Sequence, residues 1–324
     1  MIELGHKLRA AGLTPRALAA WAGTDRISAL AAPATSAPDE AYVDELAARE
    51  PTPAAVALSL FVAGREIAID RARHLPLDDL LARDLVVLDT RADAHEDRGP
   101  CVRANVAILP VGRSLIVCDR FDAPPTTERV CWPDDSSYHL AGAIPHRRVA
   151  RWLDLGCGSA FAPLVRPEVA TSIVGVELNA VAARMARLGA ALSGVGHLAV
   201  EHGDLAIEQE PAALVTCNTP MPAGGAGGGI EMWRHTDDEL FERLWRVLPE
   251  RVAPGGMAIV HAALSAIPHE RLAGDRTIVV YTPSDVSPAF GVLWWQPDAP
   301  ERLAISRRML TPERPHVDDA DRGS

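Results

Sequence analysis

Arg151 to Asn179 reads RWLDLGCGSAFAPLVRPEVATSIVGVELN, and the rest of the 324-residue chain can be arranged around it. Trp152-Leu153-Asp154-Leu155 has the short apolar run of a buried strand, and Gly156-Cys157-Gly158 then lets the backbone turn sharply with no Cβ in the way. A ligand can therefore approach the main chain closely. After an apolar helical segment, Ser172 to Val176 reads as a second strand that ends on an acid, Glu177. The outcome is a β-turn-α-β unit with a carboxylate about 20 residues beyond the glycines, from which a nucleotide site hydrogen-bonds ribose hydroxyls.

The turn helps to choose between two kinds of cofactor. A dinucleotide site wants G-x-G-x-x-G, with the third glycine permitting close helix packing; here Phe161 stands three residues after Gly158. An acid, Asp154, instead lies two residues before the first glycine, where it suits a cofactor with a cationic amino acid end. The pattern D-L-G-C-G-S-A resembles the D-x-G-x-G-x-G motif of class I S-adenosylmethionine-dependent methyltransferases, with Ala160 in place of the last glycine. The resemblance implies that Asp154, Gly156, Gly158, Glu177 and Asn179 hold the cofactor.

Composition bounds the rest. An apolar content of 48% and a charged content of 23% are those of a soluble globular protein with one large or two ordinary domains. No apolar run approaches the ~20 residues of a membrane span, and MIELGHKLRAAG lacks the apolar centre of a secretion signal, so cytoplasm is the expected location. Five cysteines without a C-x-x-C pair suggest neither a disulfide framework nor a metal site. A formal net charge of −11 disfavours nucleic acid, whose nonspecific binding rests on Lys and Arg at phosphates. Arg147-Arg148, beside His146, is the nearest basic doublet to the proposed site.

Upstream, Leu4, Leu8, Leu13 and Leu18 form a rough helical stripe, and Thr14-Pro15 signals the start of a second helix. Residues 31–39 look like a linker. Thr52-Pro53 opens a helix over 54–62, Pro76 opens one over 77–83, and strand-like runs follow at 85–88, 102–111 and 114–118. Helices followed by a small antiparallel sheet is a winged-helix-like order. The helix at Leu77-Asp78-Asp79-Leu80-Leu81 is too acidic to read DNA, so residues 1–120 are expected to pack on a catalytic domain or to form a homodimer. Residues 121–148 are strand-poor and read as a connecting loop that folds over the cofactor, with Tyr138, His139 and His146 as candidate substrate or base residues.

Downstream, a helix with Val181, Met185, Leu188 and Leu192 on one face leads to a strand over 197–201 and then to Gly203-Asp204-Leu205. In the methyltransferase family an acid here accepts a hydrogen bond from the adenine amino group, which the resemblance carries to Asp204, with Leu205 against the ring. A strand over 212–217 delivers Asn218-Thr219-Pro220-Met221-Pro222. This resembles the N-P-P-[YFW] motif of methyltransferases that modify planar nitrogens, in which the Asn accepts a hydrogen bond from the substrate NH2. Thr219 replaces the first proline and Met221 the aromatic. Losing the aromatic removes the surface on which a flipped base would stack, which favours a smaller acceptor.

The glycine-rich run through Gly229 precedes Glu231, Trp233 and His235, candidate pocket residues, and Thr236 with Glu239 forms a capping-box pattern for the next helix, which is expected to end near Pro254-Gly255-Gly256. Strands are expected at 257–263, 277–281 and 291–295, and a disordered tail at 311–324.

The resemblance thus implies an α/β fold over 149–310, a Rossmann-like seven-stranded sheet with helices on both faces. It implies methyl transfer to a nitrogen or oxygen of a small, amino-acid-like or secondary metabolite, with S-adenosylmethionine as cofactor. Asn218 would orient the acceptor beside Pro220 and Met221, and His139, His146 or His235 would take a proton. The alternatives are a methyltransferase of Gln or Arg side chains in proteins, and a catalytically silent cofactor-binding protein.

Overall fold

The computed structural model describes residues 1–24, 26–30, 45, 52–89, 99–124, 126, 128–222, 235–236, 238–282 and 289–307. Two compact units divide the chain: Met1–Pro124 with Val130–Asp134 and Met185–Gly196, and Pro125–Arg129 with Asp135–Arg184 and His197–Ser324.

The first unit begins with α1 (Ile2–Ala10) and α2 (Pro15–Ala22). The Thr14 hydroxyl accepts from the Ala17 N–H at 3.1 Å, and Gly23 ends α2 in the left-handed conformation. The same device starts α3 (Pro53–Phe61), where Thr52 caps Ala55. There follow β1 (Ile67–Ala68), α4 (Leu77–Leu81), β2 (Val86–Asp89) and β3 (Cys101–Ala104), the strands forming an antiparallel sheet in the order β1-β3-β2. A separate hairpin joins β4 (Ala107–Val111) to β5 (Ser114–Cys118), both fully buried. The single strand expected over 102–111 is therefore two, because the chain bends at Asn105-Val106. The expected linker at 31–39 lies outside the described residues.

The second unit's first element is α5 (Asp135–Ala143), so the expected connecting loop over 121–148 contains a nine-residue helix. Its buried residues Tyr138, His139, Leu140 and Ala141 are too polar and too clustered to give a clean apolar stripe. Then come β6 (Val149–Leu155), α6 (Phe161–Val165), β7 (Ala170–Glu177), α7 (Ala180–Ser193), β8 (Leu198–His202) and β9 (Ala212–Asn218). The two-residue strands β10 (Met221–Pro222) and β11 (His235–Thr236) pair in parallel. Thr236 is thus extended backbone in a strand pair and not the cap of the next helix, α8 (Asp238–Arg251). The remaining strands are β12 (Val252–Ala263), β13 (Asp275–Val280), β14 (Phe290–Gln296) and β15 (Arg302–Arg307).

Among the described residues, eight strands form the main sheet, in the order β15-β13-β14-β12-β9-β6-β7-β8. Only β14 pairs antiparallel to its neighbours, so the sheet is mostly parallel. The expected seven strands are exceeded by β15, whose Leu303 and Ile305 are 45% and 50% exposed on an edge, so no burial signal marks it in the sequence.

One face of this sheet is an apolar core in which Leu153, Leu155, Val174, Val176 and Val215 meet Phe241, Leu244 and Leu248 of α8. The other face carries α5, which packs on β9, β12, β14 and α6. The Trp294 indole N–H donates to the Ala143 carbonyl at 2.9 Å and fixes the end of α5. Counted from β6, the parallel strands run 3-2-1-4-5. Successive connections lead away from β6 to β7 and β8, then jump back to β9 on its other side. Between β6 and β9 the strand order reverses, and in open α/β sheets ligands bind outside the carboxyl ends of the strands at such a point.

Candidate active site

The carboxyl end of β6 delivers Gly156-Cys157-Gly158, with Gly156 at φ 65° and Gly158 at φ 55°. Both positions need glycine for that backbone, and among the described residues a Cβ at either would meet nothing within 4 Å, so no described residue fills the space over the turn. The Gly156 and Cys157 N–H groups donate to the Val176 carbonyl at 2.8 and 3.1 Å, which ties the turn to β7. Ala160 also lies in the left-handed region, at φ 57° and ψ 40°, and it is fully buried at the start of α6. The family's last glycine would sit here without strain, whereas alanine holds this backbone at a cost of about 1 kcal/mol or more.

Glu177, at the end of β7, spans the turn. Its Oε2 accepts from the Gly158 N–H at 2.7 Å and its Oε1 from the Asn179 N–H at 2.8 Å. Each carboxylate oxygen retains a further lone pair. Asp154 lies beneath the turn, 4% exposed, where the Thr216 hydroxyl donates to its Oδ1. That hydroxyl accepts in turn from the Trp152 indole N–H at 2.7 Å. Burial pushes the Asp154 carboxyl up to about 7, the Thr216 hydrogen bond opposing and the Glu177 charge adding to the rise. Burial also pushes the Cys217 thiol up, helped by Asp154 and Glu177, which disfavours its thiolate.

Asn179 caps α7: its Oδ1 accepts from the Val181 and Ala182 N–H groups at 2.9 and 3.3 Å, and its Nδ2 donates to the Glu128 carbonyl at 2.7 Å. Its side chain is thereby committed to structure. Asp204 follows β8 at the same edge of the sheet. It accepts from the Ala206 N–H at 2.9 Å and pairs with Arg243 of α8 at 3.1 Å, beside half-buried Leu205.

Asn218 ends β9 on the other side of the switch point. Its Nδ2 donates to the Ser136 hydroxyl of α5 at 2.8 Å, while its Oδ1 is buried without a hydrogen-bond partner among the described residues. A buried acceptor left so costs about 1–3 kcal/mol unless a ligand supplies a donor. Thr219, which stands where the N-P-P pattern has proline, donates both its N–H and its hydroxyl to the His261 carbonyl, each at 3.0 Å. Proline could make neither bond, so the departure anchors the turn on β12. Pro220 is half-buried beyond it.

The expected base and substrate residues scatter. Tyr138 is 5% exposed, its ring edge-on to Phe161 with centroids 4.9 Å apart. His139 is 8% exposed and its ring lies 3.9 Å from that of Tyr281. His146 precedes β6 at the amino edge of the sheet, opposite the glycine turn, and contacts the Arg166 guanidinium at 3.3 Å. Its place on the wrong edge removes it from the site. Met221 and His235 contribute backbone to β10 and β11, and Glu231 and Trp233 lie outside the described residues. Sequence reading passed over Thr216, Ser136, His261 and Tyr281. His261 carried a faint signal, as the single polar residue within Met257–Ala263 of a buried strand.

No protein-family model matches the chain, and no curated protein does. Among solved structures, the chain is similar to a predicted O-methyltransferase of Agrobacterium tumefaciens, with 19% identity, 53% of this chain and 86% of that chain covered, and a TM-score of 0.41. It is also similar to a putative class I S-adenosylmethionine-dependent methyltransferase of Listeria monocytogenes (14% identity, 60% and 70% covered, TM-score 0.41). A third is an RNA methyltransferase of Salinibacter ruber in complex with S-adenosyl-L-homocysteine (19% identity, 53% and 95% covered, TM-score 0.37). At such identities and TM-scores the likeness names no family for this chain, and its chemistry has to be read from the site itself.

Proposed function

We propose that the chain is an S-adenosylmethionine-dependent methyltransferase acting on a nitrogen or oxygen of a small acceptor. The observation that carries this reading is the glycine turn at the switch point, uncovered by any described residue, spanned by Glu177 and backed by buried Asp154. The residues fit the cofactor: Glu177 retains acceptor capacity for ribose hydroxyls, and Asp154 is a carboxylate that gains by a nearby cation. When bound, the cofactor supplies an electrophilic methyl group on a sulfonium. The chain's own part is alignment, since holding two reactants in line is worth on the order of 7–11 kcal/mol. Asn218 Oδ1, buried and without a partner among the described residues, would accept from the acceptor's N–H or O–H and turn its lone pair toward the methyl carbon.

The net charge of −11 and the acidic α4 support a small acceptor over nucleic acid. The retained Asn218 supports a second reading, methylation of a protein Gln or Arg side chain. Labelled S-adenosylmethionine incubated with the protein and either extracted metabolites or a protein lysate separates the two. Label in the small-molecule fraction upholds the first reading, label in protein the second, and label in neither with no cofactor binding sinks both.

A further inference from the structure

On the α5 side of the sheet, four rings gather at the carboxyl edge beside Asn218. His261 of β12 is the register partner of Asn218 across β9 and β12, so both side chains leave the same face about 5 Å apart. The His261 Nε2 lies 2.6 Å from the Tyr281 hydroxyl, a short and strong contact. Phe290 stacks on His261 at 5.9 Å and an interplanar angle of 5°, and the His139 ring covers Tyr281. Tyr281 is held at the mouth of the β13–β14 hairpin by its N–H donating to the Phe290 carbonyl at 3.1 Å. His139 is one helical turn from Ser136, so the helix that holds the Asn218 amide also clamps Tyr281. His261 is 2% exposed and Tyr281 half-buried, which makes the phenol the member of the pair that a ligand can reach.

We propose that Tyr281 takes the proton of the methyl acceptor, with His261 behind it as the positioning residue that receives the phenol's own proton. The acceptor is then an O–H or N–H compound whose hydrogen-bonding group sits against both Asn218 and Tyr281. This rests on the methyltransferase reading above. In the balanced step the acceptor's lone pair bonds to the methyl carbon and the carbon–sulfur bond breaks with its electron pair left on sulfur. The acceptor's proton passes to Tyr281 Oη, the phenolic proton passes to His261 Nε2, and the imidazolium later returns it to solvent. The pair must therefore rest with the His261 proton on Nδ1 and the phenol O–H donating to Nε2.

The full-length protein, 15N-labelled at histidine and saturated with S-adenosylhomocysteine, tests this by NMR. The His261 signals, assigned by their loss in His261→Gln, should show an Nε2 that accepts a hydrogen bond, and Tyr281→Phe should move that nitrogen alone among the histidines of the site. An Nε2 that carries the proton, or one that Tyr281→Phe leaves in place, overturns the proposal. Methyl transfer from labelled S-adenosylmethionine to phenol, catechol, aniline and benzylamine is the second readout. For any of these that is methylated, Tyr281→Phe should lower kcat by about 100-fold with KM for the cofactor changed less than about 3-fold; kcat held within about 3-fold overturns the proposal as well. Titration of the same variants with S-adenosylhomocysteine separates the two levels. Failure of wild-type binding removes the methyltransferase reading, whereas intact binding with an unmoved His261 removes only the proton acceptor.

Discussion

Replacing Asp154 with Asn should stabilise the fold in mildly alkaline solution while weakening the site. Asp154 is 4% exposed, with the Thr216 hydroxyl as its neutral donor. Burial raises its carboxyl from the ordinary 3.8 to about 7, a free-energy difference of ~4 kcal/mol between its two protonation states. The sign follows from an acid whose folded value lies above its unfolded one. The native state binds the proton more tightly, so the contribution is fully present below about pH 4, falls as pH rises and is gone above about pH 7. Asparagine keeps the shape and one acceptor oxygen but does not titrate.

Any fixed effect of the swap is the same at both pH values. The advantage of the variant over wild type should therefore grow by about 2–3 kcal/mol between about pH 5 and about pH 8. Urea unfolding of both proteins at the two pH values, read with equal m-values, measures that growth. The same charge logic makes a cationic ligand bind wild type more tightly as pH rises through about 7, with proton release below it, and makes binding to Asp154→Asn weaker and nearly flat. A stability difference that stays constant with pH, or shrinks, refutes the buried-acid account.

Three further outcomes follow from local geometry. Ala160→Val should destabilise by ~3 kcal/mol or more, since a β-branched side chain tolerates the left-handed backbone poorly, whereas Ala160→Gly should stay within ~1 kcal/mol as relief of strain offsets lost burial and added chain entropy; thermal melts compare the two. Thr219→Pro, which restores the Asn-Pro-Pro pattern, should cost ~1–3 kcal/mol in urea unfolding because the His261 carbonyl loses both donors. Arg243→Ala should change stability by less than ~1 kcal/mol, because its pair with Asp204 is about one-third exposed on both sides.

Much of the fold is legible in local sequence. Thr14 and Thr52 before prolines mark helix starts, and the apolar run to Leu155 before two glycines marks β6 and its turn. Glu177 is legible as an acid closing a strand after a glycine turn, and Asn218 as a polar residue at a strand end two residues before Pro220. The clamp on the site was not. α5 hides in a segment of Ser, Tyr and His with Pro upstream, since its helicity comes from packing on β9, β12 and β14 rather than from a hydrophobic period. Tyr281, just past β13, and His261 of β12 lie 20 residues apart in the chain, and the antiparallel return through β14 brings their side chains together. His146 went astray for the same reason: spacing along the chain does not tell which edge of the sheet a residue occupies.

Calorimetric titration with S-adenosylhomocysteine near pH 8, of wild type beside Glu177→Ala, tests the central claim most directly. The account predicts one site per chain in wild type and an affinity lower by about 10-fold or more in the variant, the loss of a charged hydrogen bond of ~1.5–3 kcal/mol. No heat of binding from folded wild type, or equal affinity in the two proteins, would contradict it.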